Sequence, residues 1–177
     1  MVISTLIFAI LVYGDSGNTN PHLLFAVSFF FSTFLTIVTV LLFKRAGKIS
    51  DLDASIREQR IQPLIICTIF YGIGFLMLNY LDASLLVQGL MFCYAINTAI
   101  VWIITQSWKI SIHTISLGGP LVALWLFGFH FPFIMLGSMI LLGGSRVILK
   151  AHTPSQVIAG AVMATGLAYL ELTFLFL

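Results

Sequence analysis

Residues 143–160 read GGSRVILKAHTPSQVIAG and stand between two long apolar stretches. The segment holds Ser145, Arg146, Lys150 and His152 close together in the chain. Charged side chains within or beside a bilayer are costly, and they usually serve binding or catalysis. We therefore expect this segment to be a functional loop that joins two helices of a membrane bundle.

The composition places the chain among polytopic membrane proteins. Its 177 residues are 60% hydrophobic and only 8% charged, and its mean hydropathy is +1.11. Soluble domains carry about 25% charged residues. The sequence thus predicts a single all-α domain over residues 1–177, a polytopic membrane bundle of six to seven transmembrane helices. The lipid bilayer is the expected partner and nucleic acid is not, while the number of subunits stays open.

Seven apolar stretches are separated by shorter polar segments. A helix needs about 20 residues to cross a bilayer. The stretches cover residues 1–13, 22–43, 63–81, 85–105, 114–127, 133–149 and 154–177. The first of them is short, so it either crosses the membrane or lies on its surface. These two possibilities give seven or six spans.

The distribution of basic residues predicts the orientation. Cytoplasmic loops of membrane proteins carry an excess of Lys and Arg. Counting alternate loops from a cytoplasmic N-terminus places all eight basic residues on the cytoplasmic side: Lys44, Arg45, Lys48, Arg57, Arg60, Lys109, Arg146 and Lys150. We therefore expect residues 44–62, 106–113 and 145–152 to meet at the cytoplasmic face.

Two motifs resemble signatures of the type 2 phosphatidic acid phosphatase family. The family's third signature is Ser-Arg, five residues, His, three residues, Asp. This chain is similar to it, with Ser145, Arg146 and His152 at the same spacing and Gln156 in place of the Asp. The block from Lys109 to His113 is similar to the second signature, Pro-Ser-Gly-His, with Lys in place of Pro and Ile in place of Gly. The resemblance covers about residues 97–170. The family's first signature, Lys, six residues, Arg-Pro, is not present as such.

This resemblance implies a membrane phosphatase acting on a lipid phosphate or an isoprenyl diphosphate, with no obligatory cofactor. His152 would be the nucleophile that attacks phosphorus, and His113 the general acid that protonates the leaving oxygen. The phosphate ligands that it implies are Lys109, Ser145 and Arg146, and Arg60 joins them as a loose counterpart of the missing Arg-Pro. A guanidinium group suits phosphate best because its planar fork can donate two parallel hydrogen bonds.

Gln156 lies one helical turn after His152, so the two side chains share a face of the helix. Its amide oxygen can accept a hydrogen bond from the imidazole and orient the ring. Gln156 carries no charge, however, and cannot stabilise an imidazolium as the family's carboxylate would.

The polar segment 44–62 allows a second chemistry. Ser50 is a candidate N-cap for a short polar helix there. Asp51 and Asp53 could hold Mg²⁺ against a diphosphate, because Mg²⁺ takes oxygen ligands and shares them with substrate phosphates. The same carboxylates also suit capping and an ion pair of Asp53 with Arg57. Both interpretations stay open.

Three functions are therefore under consideration. The first is phosphate release by His152. The second is a Mg²⁺-dependent isoprenyl diphosphate lyase, or a terpene synthase or cyclase, that uses the same phosphate pocket. The third is a lipid-binding or transport protein without catalysis. The presence of both His113 and His152 favours an enzyme, because phosphate binding alone would need only the cations.

Overall fold

The computed structural model describes residues 2–17 and 20–177, and within them all regular secondary structure is helical. Met1 of the first predicted span lies outside these residues. The helices are α1 (Val2–Gly14), α2 (Pro21–Arg45), α3 (Ile61–Tyr80), α4 (Leu85–Thr105), α5 (Ile112–Leu126), α6 (Pro132–Ile148) and α7 (Pro154–Phe176). The predicted all-α class is confirmed.

Four of these helices are long and apolar enough to cross a membrane. They are α2, α3 with the 3-10 turn Glu58–Arg60 before it, α4 and α7. The other three are shorter, with 13 residues in α1, 15 in α5 and 17 in α6. A membrane protein is therefore supported by four helices, while crossing by six or seven remains a prediction.

The expected polar helix after Ser50 is not formed. Residues 51–57 are turns and irregular backbone, followed by the 3-10 turn Glu58–Arg60. Ala54 has a φ of 44°, in the left-handed region that an L residue rarely adopts and that no right-handed helix can include. Asp51 instead accepts a hydrogen bond from the Ser55 N–H at 3.2 Å, which closes a turn. We call residues 46–57 the polar loop.

The core has two centres, and α1 belongs to the larger one. Phe8, Leu11 and Val12 of α1 are fully buried, and the Phe8 ring meets that of Tyr94 on α4 with centroids 5.7 Å apart. Elsewhere α3 packs along α4, and α5 packs along α7. The apolar face of α1 thus points into the bundle.

The contact between α5 and α7 depends on small residues. A Cβ atom at Gly118 of α5 would lie 2.7 Å from the Cβ of Ala164 on α7. A Cβ atom at Gly160 would lie 2.6 Å from Thr114 Oγ1 and 3.0 Å from the Ser111 carbonyl oxygen. Membrane helices approach closely where small residues face each other. The same close approach brings the first turns of α5 and α7, and the loops before them, to one end of the bundle.

Gly118→Ala should destabilise the protein, because the added methyl group overlaps α7. Overpacking of this kind costs roughly 1–3 kcal/mol. The matched control is Gly166→Ala on α7, where a Cβ atom meets nothing within 4 Å, and where Ala favours the helix by about 1 kcal/mol over Gly. Thermal unfolding in detergent should give a lower Tm for Gly118→Ala and an equal or higher Tm for Gly166→Ala. Equal shifts would contradict this packing.

Candidate functional site

Three loops meet at the end of the bundle where α5 and α7 begin. Arg60 Nη1 donates to the Ile110 carbonyl at 3.2 Å, which joins the segment before α3 to the loop before α5. Lys109 Nζ donates to the Ala151 carbonyl at 2.7 Å, which joins that loop to the one before α7. The three segments predicted to share one membrane face therefore lie together.

The loop between α6 and α7 begins with a Schellman-type turn. The Ala151 N–H donates to the Arg146 carbonyl at 3.0 Å, and the Lys150 N–H donates to the Val147 carbonyl at 2.9 Å. Lys150 takes the left-handed conformation that this turn requires, with a φ of 54°. The His152 N–H also donates to the Arg146 carbonyl, at 3.2 Å. The turn thus fixes His152 beside the last turn of α6, which carries Arg146.

Gln156 holds the imidazole of His152 in one tautomer. Gln156 Oε1 lies 3.1 Å from His152 Nδ1 and also accepts from the Thr153 N–H at 3.2 Å. The second bond identifies this atom as the amide oxygen, since a backbone N–H can only donate. An amide oxygen only accepts, so Nδ1 carries the proton. In neutral His152 the lone pair is therefore on Nε2, as nucleophilic attack requires.

His152 is neutral at physiological pH. Burial lowers its pKa from 6.5 to about 4; the bond to Gln156 opposes this shift, while the positive charges of Arg60 and Lys109 add to it. The side chain is only 6% exposed. Lys109 lies near His152, since its Nζ donates to the carbonyl of the preceding residue, Ala151, at 2.7 Å.

Arg146 and His113 both contact the carboxylate of Asp53. Arg146 Nη1 donates to Asp53 Oδ2 at 2.9 Å, and His113 Nε2 lies 3.6 Å from Asp53 Oδ1. The buried Nε–H of Arg146 has no acceptor among the described residues. Two of the predicted phosphate-site residues thus converge on one oxyanion. The expected pair of Asp53 with Arg57 is not formed, because Arg57 pairs with Glu58 at 2.8 Å.

The remaining candidate phosphate ligands are placed differently from one another. Arg60 is 4% exposed, donates to the Ala54 carbonyl at 2.6 Å, and has no salt bridge among the described residues. Burial lowers the pKa of Lys109, and the nearby positive charge of Arg60 lowers it further. Ser145 Oγ donates to the Leu142 carbonyl of its own helix at 2.7 Å. The cations therefore cluster, while the Ser145 hydroxyl is engaged within α6.

Asp51 and Asp53, the candidate magnesium ligands, have separate partners. Asp51 accepts from the Ser50 hydroxyl at 3.1 Å and from Ser55, as a turn-capping residue does. Asp53 is the ion-pair partner of Arg146. Within residues 2–17 and 20–177 no group of three or more His, Cys, Asp or Glu side chains could hold a metal ion. The contact of Asp53 with Arg146 and His113 was not foreseen from the sequence, since residue 53 is far from both in the chain.

A cavity of about 400 Å³ leads from this site into the bundle. Its charged end is lined by Asp53, Arg60 and His113, and its interior by side chains of α1 to α5 that include Leu64, Tyr71 and Val101. Arg146 and His152 lie outside this lining. A mainly apolar cavity with cations at one end suits an anionic head group on an apolar chain.

Acid should destabilise the fold in part through His152. The unfolded chain takes up a proton near pH 6.5, whereas folded His152 does so only near pH 4, so the free energy of unfolding falls as the pH drops between these values. Wild type should therefore lose more Tm between pH 7.5 and pH 5 than His152→Gln does. An equal loss in both proteins, measured by thermal unfolding in detergent, would contradict a buried neutral imidazole.

Comparisons with family models, with curated proteins and with solved structures give no match for this chain. The resemblance to the phosphatase signatures therefore depends on residues 109–113 and 145–152 alone. What these residues can do is inferred below from their geometry.

Proposed function

We propose that this chain is a membrane phosphatase that releases phosphate from a lipid phosphate or an isoprenyl diphosphate. The observation that carries the proposal is the state of His152. Its ring is neutral, Gln156 accepts the hydrogen bond from its Nδ1–H, and the lone pair is therefore on Nε2. Lys109 is near it, since Lys109 Nζ donates to the carbonyl of the preceding residue, Ala151, at 2.7 Å.

Arg146, Arg60 and Lys109 would hold the phosphoryl oxygens. Arg146 already binds a carboxylate through Nη1, and its planar guanidinium can offer a phosphate two parallel donors through Nη1 and Nη2. Arg60 and Lys109 add positive charge without a carboxylate of their own within salt-bridge distance among the described residues. Ser145 would join them after its hydroxyl leaves the Leu142 carbonyl.

The reaction has two steps. His152 Nε2 attacks phosphorus, the bond from phosphorus to the leaving oxygen breaks, and protonated His113 gives its proton to that oxygen. Water then attacks the phosphohistidine, the bond between nitrogen and phosphorus breaks, and inorganic phosphate leaves. His113, now neutral, takes a proton from this water, which restores the starting state.

The substrate's apolar chain would lie in the cavity beside the site. The charged end of this cavity includes Arg60 and His113, and the interior is formed by membrane-type helices. A lipid can pass sideways between helices with its head group at the interface. The excess of basic residues in the loops that form the site favours the cytoplasmic face, with the N-terminus on the same side.

The decisive experiment is phosphate release by purified protein in EDTA. Phosphatidic acid, phosphatidylglycerol phosphate and a short isoprenyl diphosphate are offered, and ³²P-labelled substrate is used to trap the phosphoenzyme. Wild type should release phosphate and retain label on histidine, whereas His152→Asn should do neither. Arg146→Ala should lower kcat/KM by about a hundredfold or more, the loss of a charged hydrogen bond of about 3 kcal/mol.

The matched control is Arg45→Ala, which removes the same side chain from the exposed end of α2. It should retain nearly full activity. If no substrate releases phosphate in EDTA, the proposal fails. If diphosphate departs intact and only with Mg²⁺, the lyase or terpene synthase alternative replaces it; tight binding of lipid phosphate without turnover would indicate a binding or transport protein.

Gln156→Glu should accelerate phosphate release. Gln156 occupies the third position of a capping box with Thr153, where Glu is equally suitable, so the helix start is preserved. The new carboxylate accepts the hydrogen bond from His152 Nδ1–H and stabilises the imidazolium that forms during attack. A charged hydrogen bond is worth about 1.5–3 kcal/mol, so the gain is roughly ten- to a hundredfold in kcat. Gln156→Met, which lacks an acceptor, should slow the reaction, and a similar rate in both variants would exclude a role for residue 156.

A further inference from the structure

We propose that Asp53 is an internal occupant of the anion site, which the substrate's phosphate must displace. Its carboxylate contacts Arg146 at 2.9 Å and lies 3.6 Å from His113 Nε2. These are the two groups assigned above to phosphate binding and to acid catalysis, so the inference rests on the proposed function. A carboxylate and a phosphate both present oxygen acceptors to a guanidinium. The two anions therefore compete for the same donors.

The polar loop is built to present this carboxylate. Ala54 adopts its left-handed conformation immediately after Asp53, at a cost that surrounding contacts must offset. Those contacts include the Arg60 Nε–H bond to the Ala54 carbonyl at 2.6 Å and the bond from Ser55 N–H to Asp51. Ala54 is buried while Asp53 is half exposed. The carboxylate can thus leave the site without unfolding the turn that carries it.

The exposure of the pair makes displacement feasible. The side chain of Asp53 is 52% exposed, and that of Arg146 is 18% exposed. Exposed ion pairs are weak. A dianionic phosphate can accept from both terminal nitrogens of the Arg146 guanidinium, whereas the Asp53 contact uses Nη1 only. The competition therefore favours strongly charged anions and selects against single carboxylates such as those of fatty acids.

Asp53 also fills a role while the site is empty. Without an anion, Arg146, Arg60 and Lys109 would leave three cations near one another beside the bilayer. The carboxylate offsets part of this charge and holds Arg146 where phosphate will bind. Burial and the charge of Arg146 lower the pKa of His113, while Asp53 opposes this shift. When phosphate arrives, it supplies the negative charge that Asp53 had provided beside this imidazole.

The test measures binding of tungstate, an unreactive tetrahedral oxyanion, to the purified full chain by calorimetry. Asp53→Asn should bind tungstate about two- to fivefold more tightly than wild type, the range expected for removing an exposed ion pair. The matched control is Glu58→Gln, which removes the same charge from the same segment but from a side chain that pairs with Arg57. It should leave tungstate affinity unchanged. Asp53→Ser repeats the test with a side chain that cannot mimic the carboxylate.

Acetate competition provides the second measurement. Acetate should compete with tungstate more strongly in Asp53→Asn than in wild type, because the internal carboxylate is gone. Equal or weaker tungstate binding by both Asp53 variants would overturn the inference, and so would an identical gain in Glu58→Gln. Tighter binding without any phosphate release from a lipid would leave the inference standing while the proposed function fails. If lipid phosphate is hydrolysed but the Asp53 variants bind tungstate as wild type does, the proposed function stands and the inference about Asp53 fails.

Discussion

The close approach of α5 and α7 is the constraint on which the site depends. His113 lies in the first turn of α5 and His152 lies two residues before α7, so the spacing of these helices sets the spacing of the two imidazoles. Gly118 and Gly160 remove the side chains that would separate the backbones. A hydrogen bond from the Ser111 N–H to the Gln156 carbonyl at 3.3 Å joins the two helix starts directly. Packing of helices in lipid has no hydrophobic driving force between them, which makes such close contact the main source of order.

Buried cations set the chemical character of this end of the bundle. Arg60 is almost fully buried and bonds only to backbone carbonyls among the described residues, so its charge is solvated by dipoles and not neutralised by a paired carboxylate. Such an arrangement is costly in the absence of an anion. Burial is the main cause that keeps His152 neutral, and the positive charge of Arg60 adds to it. The same uncompensated charge would attract the phosphate group of the proposed function. The same charge thus lowers the stability of the empty site and favours its occupied state.

Gln156 illustrates how one polar side chain can both cap a helix and orient a neighbouring ring. Gln156 closes the capping box at the start of α7 and, with the same oxygen, accepts a hydrogen bond from His152 Nδ1–H. The helix start therefore fixes the tautomer. At the position where the resembling signature has a carboxylate, Gln156 thus provides the hydrogen bond to the ring but not the negative charge.

The sequence alone determined the membrane character, the all-helical class, the approximate bounds of the seven helices and the gathering of the basic loops, because hydropathy and charge are local properties of the chain. It also singled out His113, and it singled out Arg146, His152 and Gln156, whose spacing is fixed within one loop and one helical turn. It misjudged the polar loop, where Ala54 in the left-handed region breaks the expected helix, and it assigned Asp53 to Arg57 or to magnesium. Only the tertiary structure decided that Asp53 reaches Arg146 and His113, since that contact joins three separate segments and is set by helix packing.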